Sequence, residues 1–353
     1  MRKKFIASIL SAALALSTAG CADSAATSLT ALDASISANS ADSSETVTST
    51  AAATTAATTS SAETTTTTAA PAPKPDPVAV DMNYISNSRA YFTKANTVTS
   101  NDELKKTLDE LDEMILKFGQ NLGFAYYNPQ TGITVSYNAN KSFQTCSTIK
   151  VPYIEALLES GVNLDEEVTI NRIYTDAAPE EGHLTVNDYH KKYTVRKLIE
   201  NSVKLSDNTA YVNLIDRFGR YVFNSHQYSS GINYLLSEGY YFSMCTASAM
   251  LESYKGIYNY SLNDKNGEWL VDLMTNTSFN YQISDALSQK YKVAHKYGSD
   301  METNSYHDCA ICYAESPYII CIFTEQFPET DAANESFHKL ALIFDKLNEI
   351  LVS

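Results

Sequence analysis

From Ala22 to about Asp81 the chain is almost entirely Ala, Ser and Thr, with Pro71, Pro73, Pro75 and Pro77 close together and very few large apolar side chains. Such a segment cannot bury enough apolar surface to offset the entropy lost on ordering it. It reads as a flexible stalk over residues 22–98, stiffened near its end by polyproline-like structure. A folded domain must therefore be built from residues 99–353. The 353-residue chain is 44% hydrophobic, enough for one large or two small cores.

The stalk follows a leader. Met1-Arg2-Lys3-Lys4, an apolar run from Phe5 to Leu16 and small residues up to Gly20 read as a secretory signal peptide over residues 1–21, too short to span a bilayer. The run Leu16-Ser17-Thr18-Ala19-Gly20-Cys21 resembles a bacterial lipoprotein cleavage site, although Thr18 stands where Leu is usual. The resemblance implies that Cys21 becomes a lipidated N-terminus, with ordinary cleavage near the same point as the alternative. The expected location is outside the cell, tethered to the outer face of the bacterial membrane.

Charge excludes one class of partner. The net charge is −15, and six basic and seven acidic side chains fall in the first 99 residues, so about −14 rests on the remainder. An acidic domain with no basic run repels phosphate backbones, and nucleic acid is excluded. Of six cysteines, Cys21 is assigned to the leader, leaving an odd number and hence at least one free thiol. Cys309 and Cys312 form a CxxC, but on a strand positions i and i+3 point to opposite faces. They read as buried small hydrophobes, and because no histidine pair has ligand spacing, neither a metal nor a cofactor is expected.

Periodicity places the elements. Ser100-Asn101-Asp102-Glu103 reads as a capping box led by Ser100, and Leu104, Leu108, Leu111, Ile115 and Phe118 follow at helical spacing before Gly119. Strands over 122–128 and 133–138 are joined by Pro129-Gln130-Thr131-Gly132. A buried helix starts at Ser147 and stops near Gly161. Residues 162–290 read as mostly helical, with 231–239 as a short helix end. Strands over 291–299, 307–314 and 318–324 precede a last helix from about Asp331 that buries Phe337, Leu340, Ala341, Phe344 and Leu347. The order predicts a two-lobed α/β domain: an antiparallel five-stranded sheet made from both ends of the chain, flanked by the N- and C-terminal helices, with an all-helical lobe beside it.

Three short elements carry chemistry in this order: Ser147-Thr148-Ile149-Lys150, Ser206-Asp207-Asn208, and Lys296-Tyr297-Gly298. A hydroxyl and an amine three residues apart share one helix face, so the amine can take the hydroxyl proton and make a serine nucleophile. Ser206-Asp207-Asn208 lies between two apolar helical stretches, where a loop exposes side chains into a cleft. Each element alone has an ordinary reading: Ser147 as a helix cap, Lys150 as a snorkelling lysine, Ser206 to Asn208 as a turn, Lys296 as a strand charge. A second Ser-x-x-Lys at Ser336 and a Ser-x-Asn at Ser37 show how common such spacings are.

Taken together, in order and across one domain, the three elements resemble those of the class A β-lactamases, a family of penicillin-recognising serine hydrolases. The likeness runs from about Asn101 to Ser353 and implies the β-lactamase/transpeptidase-like fold. It implies Ser147 as nucleophile, Lys150 as its base and Ser206 as the relay to the leaving nitrogen. Asn208 would contact the substrate amide and Lys150, and Lys296 the substrate carboxylate. The backbone N–H groups of Ser147 and Ser299, the latter following Gly298, would form the oxyanion hole. The implied partner is a small β-lactam or a peptidoglycan stem peptide.

Two departures bear on turnover. Tyr297 occupies a position where the family has a small hydroxyl residue. The family's deacylating glutamate has no counterpart after the Ser-Asp-Asn element: Glu238 is the sole acidic residue between Arg220 and Ala249, and no Glu-x-x-Leu-Asn occurs. The expectation is acylation followed by slow release. A D-Ala-D-Ala carboxypeptidase or transpeptidase, and a non-catalytic envelope-binding protein, are the alternative readings.

Overall fold

A computed structural model describes residues 88–95, 101–174, 182–326 and 330–353. The leader, Cys21 and nearly all of the expected stalk lie outside the described residues.

Strand β1 (Tyr91–Thr93) is followed by helix α1 (Asp102–Phe118), strands β2 (Leu122–Tyr127), β3 (Thr134–Tyr137) and β4 (Ser142–Gln144), and helix α2 (Lys150–Glu159). The helical lobe then contains β5 (Glu167–Thr169), β6 (Lys192–Thr194), α3 (Val195–Lys204), α4 (Asn208–Phe218), α5 (Arg220–Ser229), β7 (Met244–Thr246), α6 (Ala247–Asn263) and α7 (Lys265–Thr275), after which α8 (Ile283–Leu287) returns to the opposite face of the sheet. Strands β8 (Val293–Asp300), β9 (Ser305–Cys312) and β10 (Tyr318–Thr324) and helix α9 (Thr330–Val352) complete the chain. Among the described residues no helix is long and apolar enough to cross a membrane.

The main sheet is antiparallel in the order β1-β3-β2-β10-β9-β8. The five strands expected from sequence are joined by a sixth, since Tyr91–Thr93 pairs with Thr134–Ser136. Those residues fall inside the stretch assigned to the stalk. With only three residues, β1 is too short to show a periodic pattern and is held by its neighbour's exposed edge.

Alternation along the strands divides two cores. Phe124, Tyr126, Tyr318, Ile320, Ile322, Ala310 and Cys312 join one cluster with the buried faces of α1 and α9. Ala125, Ile319, Cys321, Phe323, Cys309 and Ile311 join the other with α2, α6 and α7. Cys309 and Cys312 thus point to opposite faces, and the five described cysteines are buried free thiols.

Local chemistry explains the helix ends. The N-cap of α1 is Asn101, whose Oδ1 accepts the Leu104 N–H at 2.7 Å. This displaces the expected capping box: an Asx side chain reaches the third amide, so Glu103 falls at the second helical position. The segment expected as a helix end over 231–239 has no regular structure from 232 to 237. Ile232, Tyr234 and Leu236 are buried while Asn233, Leu235 and Ser237 are exposed, a period of two that belongs to extended chain.

Candidate active site

The nucleophile candidate is positioned by the exit from β4. Phe143 is fully buried against Gly123 of β2, where an added Cβ would lie 2.6 Å from the Phe143 ring. Thr145 is then clamped: its N–H donates to the Ser243 carbonyl at 2.8 Å and its Oγ1 accepts the Ser243 N–H at 3.2 Å. Cys146 takes a left-handed backbone with φ 45°. That conformation is strained for a residue with a side chain. It turns the chain from β4 into a tight 3-10 turn over Cys146–Ile149, continuous with α2. Ser147 sits half-buried in this turn rather than in the α-helix proper, with Lys150 fully buried one turn on.

Ser206 is the meeting point of the other elements. It too has a left-handed backbone, φ 56°, at the junction of α3 and α4. Its hydroxyl accepts from Lys296 Nζ at 2.8 Å and from Lys150 Nζ at 3.3 Å. Lys150 Nζ also donates to the Ser206 carbonyl and, at 2.6 Å, to Asn208 Oδ1. Two buried amines share one hydroxyl. Burial first, then the charge of Lys150, push the Lys296 amine well below the ordinary lysine range, while Asp308 works in the opposite direction. Removing the ammonium from water is the main cause, and the like charge of Lys150 adds to it.

Asp207 departs from the expectation that the Ser-Asp-Asn element exposes its side chains. It is 1% exposed and turned inward. One carboxylate oxygen caps α4 by accepting the Ala210 N–H at 3.1 Å; the other accepts the Leu184 N–H at 2.9 Å and Asn201 Nδ2 at 3.2 Å. Asp207 thereby fixes the turn that aims Ser206 and Asn208.

Lys296, Gly298 and Ser299 come from β8, an edge strand of the sheet paired with β9. A Cβ on Gly298 would lie 2.8 Å from the Ser147 nitrogen and 3.1 Å from the Thr148 nitrogen. Glycine is therefore what lets β8 press against the turn that carries Ser147. Ser299 is exposed at the strand's end. The Tyr297 ring packs on Phe279 with centroids 4.9 Å apart, and Lys296 Nζ lies 4.4 Å from the Tyr297 ring centroid.

The sequence reading did not find the Thr145–Ser243 clamp or the buried partners of Asp207. The clamp and the Asp207–Leu184 contact join residues 98 and 23 positions apart and leave no local pattern. Glu238 lies exposed in a turn. A cavity of about 450 Å³ beside β4 is lined by Gln144 and, from the segment after α5, by Leu235, Tyr240, Phe242 and Met244 together with the hydroxyls of Ser237 and Ser243.

Comparison with solved structures gives the same architecture. An ancestral class A β-lactamase, the reconstructed last common ancestor of Gram-negative bacteria, is 21% identical with a TM-score of 0.58, covering 68% of this chain and 98% of that one. A β-lactamase from Xanthomonas campestris pv. campestris is 17% identical with a TM-score of 0.59, covering 69% and 98%. PBP-A is 19% identical with a TM-score of 0.57, covering 67% and 96%, and a variant of PBP-A has been solved as an acyl-enzyme with penicillin G. At these identities the likeness establishes the fold. The model of the Beta-lactamase enzyme family matches residues 103–347, most of the chain, and this protein belongs to that family.

Proposed function

We propose that the protein is a serine hydrolase that forms an acyl-enzyme at Ser147 with β-lactams or related amides and releases the acyl group slowly. The observation that carries this reading is the shared hydroxyl of Ser206, 3.3 Å from Lys150 Nζ and 2.8 Å from Lys296 Nζ. It forms a short route for a proton between the base and the leaving group. Lys150, one turn from Ser147, takes the hydroxyl proton as Ser147 Oγ attacks the amide carbonyl. Ser206 then hands a proton to the departing nitrogen. The N–H groups of Ser147 and Ser299 receive the developing oxyanion. Lys296 and Asn208 hold the substrate carboxylate and amide.

Slow release follows from the segment after α5. Its one carboxylate, Glu238, is exposed in a turn and does not supply a buried base for water. Intact-mass measurement after incubation with benzylpenicillin is expected to show one stable adduct, absent from Ser147→Ala. No adduct on the unaltered protein would overturn the acylation reading. Rapid steady hydrolysis of a chromogenic cephalosporin would overturn slow release.

The exposure of Glu238, the one carboxylate of the described segment after α5, also favours a second reading, in which the acceptor is not a carboxylate-activated water and the substrate is a peptidoglycan stem. Release of D-alanine from a stem peptide, lost in Ser147→Ala, would select it. For location, we propose a tether at Cys21 on the outer membrane face; Cys21→Ala should move the protein from the membrane fraction to the medium.

A further inference from the structure

Helix α2, which begins at Lys150, carries a second cluster of polar groups at its far end. Glu155 and Glu159 are one helical turn apart and share a face. Helix α5 brings His226 beside them, its Nε2 3.1 Å from Glu159 Oε2. One potential ligand atom from each of the three residues lies within 4.8 Å of the others. They line a cavity of about 390 Å³ distinct from the Ser147 site.

Glu155 is the unusual member. Its side chain is 1% exposed, and neither carboxylate oxygen has a hydrogen-bond partner among the described residues. The Nδ1 of His226 is also buried and unpartnered among them. Gly256 of α6 faces the carboxylate, and a Cβ there would lie 3.0 Å from Glu155 Oε1, so the absent side chain is what leaves room for the acid. A buried carboxylate with no partner is strongly unfavourable when ionised. It must hold either a proton or a cation.

We propose that Glu155, Glu159 and His226 form a binding site for one divalent cation of the zinc class, tying α2 to α5. Two carboxylates balance a double positive charge. The imidazole donor selects zinc over magnesium or calcium, which prefer all-oxygen shells. Glu159 and His226 reach solvent in part, with side chains 40% and 16% exposed, and give the ion a path in. On binding, the Glu159–His226 hydrogen bond is exchanged for two bonds to the metal, and water completes the tetrahedron. A search for histidine pairs in the sequence cannot find this site, because its one imidazole lies 67 residues from Glu159.

The test uses the full chain stripped with chelator and titrated calorimetrically with zinc chloride, with magnesium chloride in parallel. Bound metal is counted by mass spectrometry. The expected result is one equivalent of zinc, no magnesium binding, and a melting temperature raised by roughly 5 °C at a hundredfold excess over Kd. Glu155→Gln, which has the shape of the protonated acid, should fold as the parent by circular dichroism yet bind zinc at least tenfold more weakly, and His226→Gln should do the same. No zinc retained by the parent chain would overturn the proposal. So would equal binding by the Glu155→Gln/His226→Gln double variant, which would assign the metal to another place. If Glu155→Gln alone failed to fold, His226→Gln would decide the question.

Discussion

Ser206 shows how much of the site depends on single residues in unfavourable states. Its left-handed backbone is strained, and its buried hydroxyl accepts from two lysine amines. Gly298 is the corresponding steric requirement. An alanine Cβ there would meet the Ser147 nitrogen at 2.8 Å, so β8 or the turn carrying Ser147 must shift. Gly298→Ala is expected to slow formation of the penicillin adduct by about 10²-fold, the scale of losing one oxyanion donor, while the far-UV spectrum stays unchanged. Stopped-flow mass sampling of the adduct checks it, and an unaltered rate would mean that β8 does not constrain Ser147. The residue types of this site were legible in the sequence, as were their order and the likeness they carry. The left-handed φ of Cys146 and Ser206 was not, because nothing in a Cys or a Ser signals that the chain around it will hold it in strain.

At the scale of elements, the caps repay attention. Asp207 begins α4 and also accepts from Leu184 and Asn201, linking the turn to a segment before α3. Removing it leaves three buried donors without their acceptor. Asp207→Ala should lose about 3 kcal/mol of stability by urea denaturation, more than the ~1 kcal/mol of an ordinary exposed cap. A loss near 1 kcal/mol would show that water replaces the carboxylate. In α9, Phe344 packs edge-on to Phe124 at 5.0 Å and stacks on Tyr126 at 6.0 Å. Phe344→Ala should cost ~3–5 kcal/mol in the same assay; a smaller loss would mean that the helix collapses into the space.

Element type followed from periodicity wherever a run was long enough: α1, α9 and the five long strands all have apolar spacing that only one secondary structure can bury. The errors fell where signals were short or doubled. Ser100 and Asn101 are both good caps, and only the reach of the Asn101 side chain to Leu104 decided between them. The expected helix end at 231–239 is extended over 232–237, where burial alternates with a period of two. Dense apolar residues beside a glycine fit either form until neighbours choose the face.

The described residues form a sheet drawn from both ends of the folded unit with a core on each face, and acid stability should report the layer beside Phe143. His307 of β9 is fully buried between Phe143 and Phe323, and burial pushes its pKa down to about 4. Between that value and the unfolded value near 6.5 the unfolded chain binds the proton and the folded one does not, so stability rises with pH across this window. Folding free energy should fall by on the order of 3 kcal/mol from pH 6.5 to pH 4 through this group alone. His307→Leu should flatten that part of the profile in urea titrations at several pH values, whatever it does to stability at pH 7. An unchanged slope would remove His307 as its source.

The sequence by itself determined the order of the longer elements, the net acidic charge and the order of the three motifs along the chain, because each is written in residue type and local spacing. Tertiary structure alone decided that Tyr91–Thr93 completes the sheet, that Asp207 turns inward, that Lys150 and Lys296 share one hydroxyl, and that His226 joins Glu155 and Glu159. These depend on groups far apart in the chain meeting in a packed interior, where burial and close approach, rather than spacing, set what each side chain can do.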